Sequence, residues 1–176
     1  MTKTATKIQT ESGNNIAGEK LITRIKLMPG NTLEVNYKLA NDKEALEVSY
    51  TGKEEVTNRY LEQFAKLNAP ACQIVPILEY AYPADLKAGV LRLKYNEKGN
   101  LDKMSVSVQL KLTTSNSPVN ISTPMVDFVT EDLPEEAFRI SAENEEIVHE
   151  LLAMTKAYMN GETRTKQLSL VVDNEE

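Results

Sequence analysis

Two periodicities alternate along the chain. From residue 20 onward apolar side chains recur at every second position, as they must in a strand with one dry face. LITRIKLM (21–28) sets Leu21, Ile25 and Leu27 on one side and Arg24 and Lys26 on the other. After a Pro29-Gly30-Asn31 turn, TLEVNYKLA (32–40) turns Leu33, Val35, Tyr37 and Leu39 inward and Glu34, Asn36 and Lys38 outward. Asn41-Asp42-Lys43 turns the chain again, and 44–50 places Leu46, Val48 and Tyr50 inward. The spacing predicts an antiparallel meander of three strands with short turns. A second alternation follows at VLRLKY (90–95) and KMSVSVQLKL (103–112), joined by the turn NEKGN. The outward positions of this hairpin are Arg92, Lys94, Lys103, Ser105, Ser107, Gln109 and Lys111, with no acid among them.

Helical spacing interrupts the strands twice. Val56, Tyr60, Phe64 and Leu67 are spaced by four, four and three, with Thr51 and Glu54 at capping-box separation and Pro70 as the stop. Ser141 caps a second helix whose first turn holds Glu143, Glu145 and Glu146, where negative charge suits the helix N-terminus. Its buried stripe reads Ile147, Leu151, Met154 and Tyr158, and Asn160-Gly161 ends it. Period does not decide between helix and extended chain for 71–82, and 125–140 shows little period. QLSLVV (167–172) reads as a last strand. The order of elements predicts an α+β fold: an antiparallel sheet of five to six strands, a meander plus a hairpin, with two main helices on one face. Residues 1–18 read as a flexible arm, 19–172 as one domain, and 173–176 as a frayed acidic tail.

Composition narrows the function. The chain has 176 residues, 41% hydrophobic and 26% charged, and no apolar run long enough to span a bilayer. The N-terminus lacks the apolar core of a secretory signal, and a lone cysteine, Cys72, allows no intrachain disulfide, so a cytoplasmic setting is expected. The net charge of −6 is uneven: residues 1–126 carry +3 and 127–176 carry −9. The outward sheet face, with Arg24, Lys26, Lys38, Arg92, Lys94, Lys103 and Lys111, is a candidate phosphate-binding surface, although Glu34 and Glu47 share it. Tyr60, Tyr80 and Tyr82 read as buried or rim residues and so as poor base-stacking platforms.

Catalytic signatures are absent from the sequence. Cys72 in ACQIV reads as a small buried hydrophobe and His149 as a surface residue of the second helix, so no nucleophilic pair is expected. No zinc spacing, calcium loop, Walker motif or dinucleotide fingerprint occurs. EDLPEE (131–136) and ENEE (143–146) read as solvated acid rather than as a magnesium site. Asn120-Ile121-Ser122 matches a glycosylation acceptor but lacks a secretory context. No catalytic residue, cofactor or metal is expected.

One segment stands apart. SNSPVNISTP (115–124) follows the clearest strand and carries two X-Pro steps, with Asn116, Pro118, Asn120, Thr123 and Pro124 as its distinctive positions. Its side chains can bond nearby backbone and its prolines restrict their neighbours, as in a structural crossover, with a binding loop as the alternative. Together with the C-terminal AYMNGETRTKQLSL (157–170), where Tyr158, Gly161, Arg164, Gln167, Ser169 and Leu170 match, it resembles a family of small proteins encoded in tailed-phage and prophage genomes. The spacing around Arg164 is wider than in that family, and the tail runs on past it. The resemblance implies a non-catalytic accessory role in phage DNA recombination and replication and carries over no catalytic residue. The expected partner is single-stranded DNA on the basic sheet face. The alternative is a protein partner, for instance a component of host defence, met by Glu143, Glu145 and Glu146. Homo-oligomerisation is open to the chain if a strand edge is free.

Overall fold

The computed structural model describes residues 19–40, 47–80, 85–114, 117–128 and 138–163. The expected arm 1–18, Leu46, Tyr82, Asn116, the acidic run 131–136, the matches from Arg164 onward and the tail 167–176 lie outside the described residues.

Seven strands form one open antiparallel sheet among the described residues. The strands are β1 (Lys20–Leu27), β2 (Leu33–Leu39), β3 (Val48–Thr51), β4 (Leu86–Tyr95), β5 (Leu101–Leu110), β6 (Val119–Ser122) and β7 (Val126–Asp127). Their order is β3-β2-β1-β4-β5-β6, with β7 also on β5. The helices are α1 (Asn58–Ala65), α2 (Asn68–Ile74) and α3 (Ala142–Met159), and α2 runs into a 3₁₀ turn, Pro76–Tyr80. The fold is α+β, as the element order predicts. One face of the sheet, carrying Ile25, Leu33, Val35, Tyr37, Leu91, Leu93, Met104, Val106 and Val108, is buried with Phe64, Leu67, Leu151 and Tyr158 of the helical layer. Each such side chain contributes about 1.5–3 kcal/mol relative to exposure.

Of three register shifts in the ladders, those in β1 and around Gly89 reset the phase of their strands, and the third lies between Lys94 and Tyr95. The β1–β2 register shifts between Ile22 and Arg24, so Ile22 and Ile25, three apart, both face the core. Leu21, expected inward, is instead half-buried on the far side. In β4 the register against β5 shifts between Ala88 and Val90, around Gly89. Strict alternation fails across Gly89, which hid the first four residues of β4 from a period-two reading.

The start of α1 also differs from expectation. Thr51 does not cap it, because Thr51 still pairs with Glu34 in β2 and the Gly52 amide donates to the Leu33 carbonyl. Thr57 is the cap, its hydroxyl accepting from the Tyr60 amide. Pro70 does not end the helical region. It sits in the first turn of α2, where its missing N–H has no helical partner to lose. The stripe of α3 is rotated too: Val148, Leu151, Leu152, Thr155 and Tyr158 are buried, whereas Ile147 and Met154 are half-buried. Ser141 caps α3 as expected, and Gln73 of α2 fixes its entry by accepting from the Ser141 amide and the Asn144 side chain. The helix ends at Asn160 and Gly161 (φ +97°), with Gly161 N–H on Tyr158 C=O and Glu162 N–H on Ala157 C=O.

The described part of the segment, 117–124, is not an unpaired crossover. Val119–Ser122 pairs in register with β5 as an edge strand, and β7 pairs with Lys103 and Met104 further along. Between them Pro124 has no amide to give. Thr123 closes the gap: its own N–H donates to Val106 C=O at 2.9 Å, and its hydroxyl accepts from Val106 N–H at 3.0 Å. The same hydroxyl donates to Pro124 C=O at 3.1 Å.

α3 is docked through its C-terminal end. The buried Tyr60 hydroxyl bonds Thr155 at 2.8 Å, and Tyr158 donates its hydroxyl to Glu54 C=O. Burial, with only partial relief from Thr155, raises the pKa of Tyr60 far above the ordinary phenol value. Thr163 bonds the Glu54 carboxylate. A Cβ on Gly52 would stand 2.0 Å from the Tyr158 hydroxyl and 2.6 Å from its ring.

Two outcomes follow. Gly52→Ala lowers stability by about 1–3 kcal/mol through overpacking, but adds little in a Tyr158→Ala background, a non-additivity that urea denaturation of the four-member cycle measures. Thr123→Val, which keeps shape but strands the buried Val106 amide, costs about 1–3 kcal/mol, whereas Thr123→Ser retains most of the stability.

Candidate nucleic-acid interface

The other face of the sheet is open and polar. Alternation on β1, β2, β4 and β5 sends Arg24, Lys26, Glu34, Asn36, Lys38, Arg92, Lys94, Lys103, Ser105, Ser107 and Gln109 to it. The antiparallel ladders then bring like charges together. Arg24 is the direct cross-strand partner of Arg92, and Lys94 that of Lys103. Like charges directly opposite destabilise a sheet.

Each pair is relieved on one side only. Arg24 meets Glu34 of β2 at 2.5 Å, with the two side chains 29% and 25% exposed, so the pair is partly shielded from water. Lys103 meets Asp127 of β7 at 2.6 Å, and that hydrogen bond and charge raise the lysine's pKa. Arg92 and Lys94 keep no carboxylate partner among the described residues. The Arg92 guanidinium instead donates to Ser107 Oγ at 2.7 Å, and Ser107 bonds Ser122 of β6 at 2.8 Å. Acids therefore flank the face, with Glu34 and Glu47 on one side and Asp127 on the other. The uncompensated positive charge runs along the middle, on β4.

Two hollows lie on this face. The first, about 810 Å³, is lined by Arg24, Lys38, Arg92, Lys94, Lys98 and Glu47, among others, and is bounded at one end by the β4–β5 turn. The second, about 580 Å³, lies towards the β1–β2 turn and is lined by Lys26, Lys87, Val90, Ser107, Gln109 and Asn120. Arg24, Arg92 and Lys94 are thus gathered in one hollow, and Lys26 lies in the other. Lys111 is a correction: β5 ends at Leu110, so Lys111 is an exposed residue past the strand, its amide held by Asp85 C=O. Lys87 and Lys98 were outside the expected face. Lys87 was hidden by the Gly89 bulge and Lys98 by its place in a turn.

The aromatic inventory is thin. Tyr95 borders the first hollow, but its hydroxyl donates to Ile22 C=O at 3.0 Å, and burial pushes its pKa up to about 12. Tyr60 is buried. Tyr80 is 89% exposed on the 3₁₀ turn beside the 74% exposed Ile77, contrary to the rim placement expected for it.

The alternative acidic site is dispersed. Glu143 and Glu146 are exposed, whereas Glu145 turns towards His149 at 3.5 Å, beside a cleft of about 470 Å³ between α3 and β1. Of the loop residues, Pro118 and Pro124 bracket β6, Asn120 faces the second hollow, and Thr123 serves the ladder.

Cys72 is half-buried against the core, and burial, then Glu79, raises its thiol pKa, the reverse of an activated nucleophile. Among the described residues no group of three or more His, Cys, Asp or Glu side chains is placed to hold a metal ion, and no helix is long and apolar enough to cross a membrane.

Comparison with protein-family models, with curated proteins and with solved structures finds no match, so the phage-family resemblance rests on the residues quoted for it alone.

Proposed function

We propose that the chain is a non-catalytic binder of single-stranded DNA, acting through the open face of its sheet in the phage recombination and replication setting that the resemblance implies. The observation that carries this reading is the charge layout of the face. Arg92 and Lys94 stand without carboxylate partners in a hollow, each opposite a cation whose charge is already compensated. A bound phosphate would relieve both like-charge pairs at once.

The width of the stripe favours one strand over two. Positive charge is centred on β4, and carboxylates lie to either side of it. With strands about 4.8 Å apart, a duplex seated there would bring its second row of phosphates against Glu34 and Glu47 or against Asp127. Among the described residues no exposed aromatic lies on the face, so stacking contributes little, and affinity is electrostatic and modest, with a Kd of about 10⁻⁶–10⁻⁴ M at physiological salt.

Fluorescence anisotropy with labelled single- and double-stranded oligonucleotides, across a salt series, tests this. The single strand is expected to bind more tightly, with log K falling linearly in log salt. Lys94→Gln and Arg92→Gln should each reduce that slope by about 0.7, with circular dichroism checking that both variants fold. Absence of binding at low salt would sink the proposal and move attention to a protein partner at the exposed Glu143 and Glu146.

A further inference from the structure

The two hollows are not separate sites. They lie on the same face at opposite ends of β4 and are joined by one hydrogen bond. Arg92, which lines the first, donates to Ser107, which lines the second, at 2.7 Å.

Positive charge recurs along this path with the pleat. Lys94 and Arg92 are two residues apart on the open face of β4. The next open-face position is Val90, and its cross-strand partner on β1 is Lys26. Beyond the Gly89 bulge comes Lys87. Each successive rung of the open face thus offers one cation with no ion pair among the described residues, Lys26 standing opposite a Glu34 that is already paired with Arg24. Outside the bulge, rungs are about 6.6 Å apart. That is roughly twice the 3.4 Å of axial rise per phosphate along one strand of stacked DNA. A repeating row at this spacing suits a repeating polyanion rather than a single small anion.

Building on the single-strand reading above, we infer that the bound strand runs lengthwise along β4, from the turn 96–99 to the turn 28–31, passing over Arg92. Lys87 and Lys26 are then contact residues as much as Lys94 is. The path from Lys94 to Lys87 is about 23 Å at 3.3 Å per residue. It spans about seven nucleotides at stacked spacing and fewer when the strand is stretched.

Oligothymidylates of two to twelve nucleotides, titrated by anisotropy over a salt series, test the path. Affinity is expected to climb steeply with length up to about seven nucleotides and beyond that only by the number of registers available. Lys26→Gln and Lys87→Gln should each reduce the salt slope for the longest oligonucleotide by about 0.7, as Lys94→Gln does. Lys66→Gln, at the exposed end of α1, should leave the slope unchanged.

The outcomes separate the two claims. Binding that responds to Lys94→Gln but not to Lys26→Gln or Lys87→Gln confines the ligand to the first hollow; it overturns the path and leaves the single-strand reading standing. No binding of any length overturns both. An equal response to Lys66→Gln means diffuse attraction with no track, and it also overturns both.

Discussion

The pairing of β1 with β4 is the constraint on which the rest depends. Among the described residues it is the only ladder between the meander and the second hairpin, and it is three residue pairs long, Arg24–Arg92, Ile25–Leu91 and Lys26–Val90. Its central pair is fully buried, and that fixes the register, because a slip of one residue would send Ile25 and Leu91 to water. Once the apolar pair is set, the two arginines have no choice but to face each other. The charge pattern of the open face is therefore a consequence of how the dry face packs. The compensation by Glu34 and Asp127 comes from strands one step further out on each side.

Much of this was legible in the alternation of the chain. Five successive inward positions in 103–112 and four in 32–40 located β5 and β2, and the inward set of β2 needed no revision. What alternation could not show is where it breaks. A bulge leaves both flanking segments with a valid period but opposite phase, and one residue, Thr23 or Gly89, decides which side a lysine reaches. Lys87 was left off the outward face for that reason. Lys111 was placed within β5 because sequence alone continued the strand past Leu110. Helix caps were ambiguous in a different way. Thr51 and Thr57 both suit a cap, and the choice fell to the backbone of 51–52, which is already committed to β2.

The candidate site was legible as a list and illegible as a map. Outward lysines and arginines can be read from the sequence, but their partners cannot. Arg24, Arg92, Lys94 and Lys103 look alike in one dimension. In three, two are compensated by carboxylates from other strands and two are not. Thr123 makes the same point for the segment 115–124. Its hydroxyl reads as loop chemistry, yet it accepts the Val106 N–H in place of a backbone carbonyl, and Val119–Thr123 becomes part of the sheet.

The docking of α3 carries a consequence for how the chain acquires its structure. Its holding contacts join residues very far apart in sequence: Tyr60 to Thr155, separated by 95 positions, and Tyr158 to Glu54, separated by 104. Loops of that length must close before either contact rewards the closure. During synthesis, the sheet's apolar side would await a cover that leaves the ribosome after every described strand. Until then Leu91, Met104 and Val106 depend on α1 and α2 alone for shelter. An interrupted chain ending before Thr155 would expose the side of the sheet that the finished protein hides.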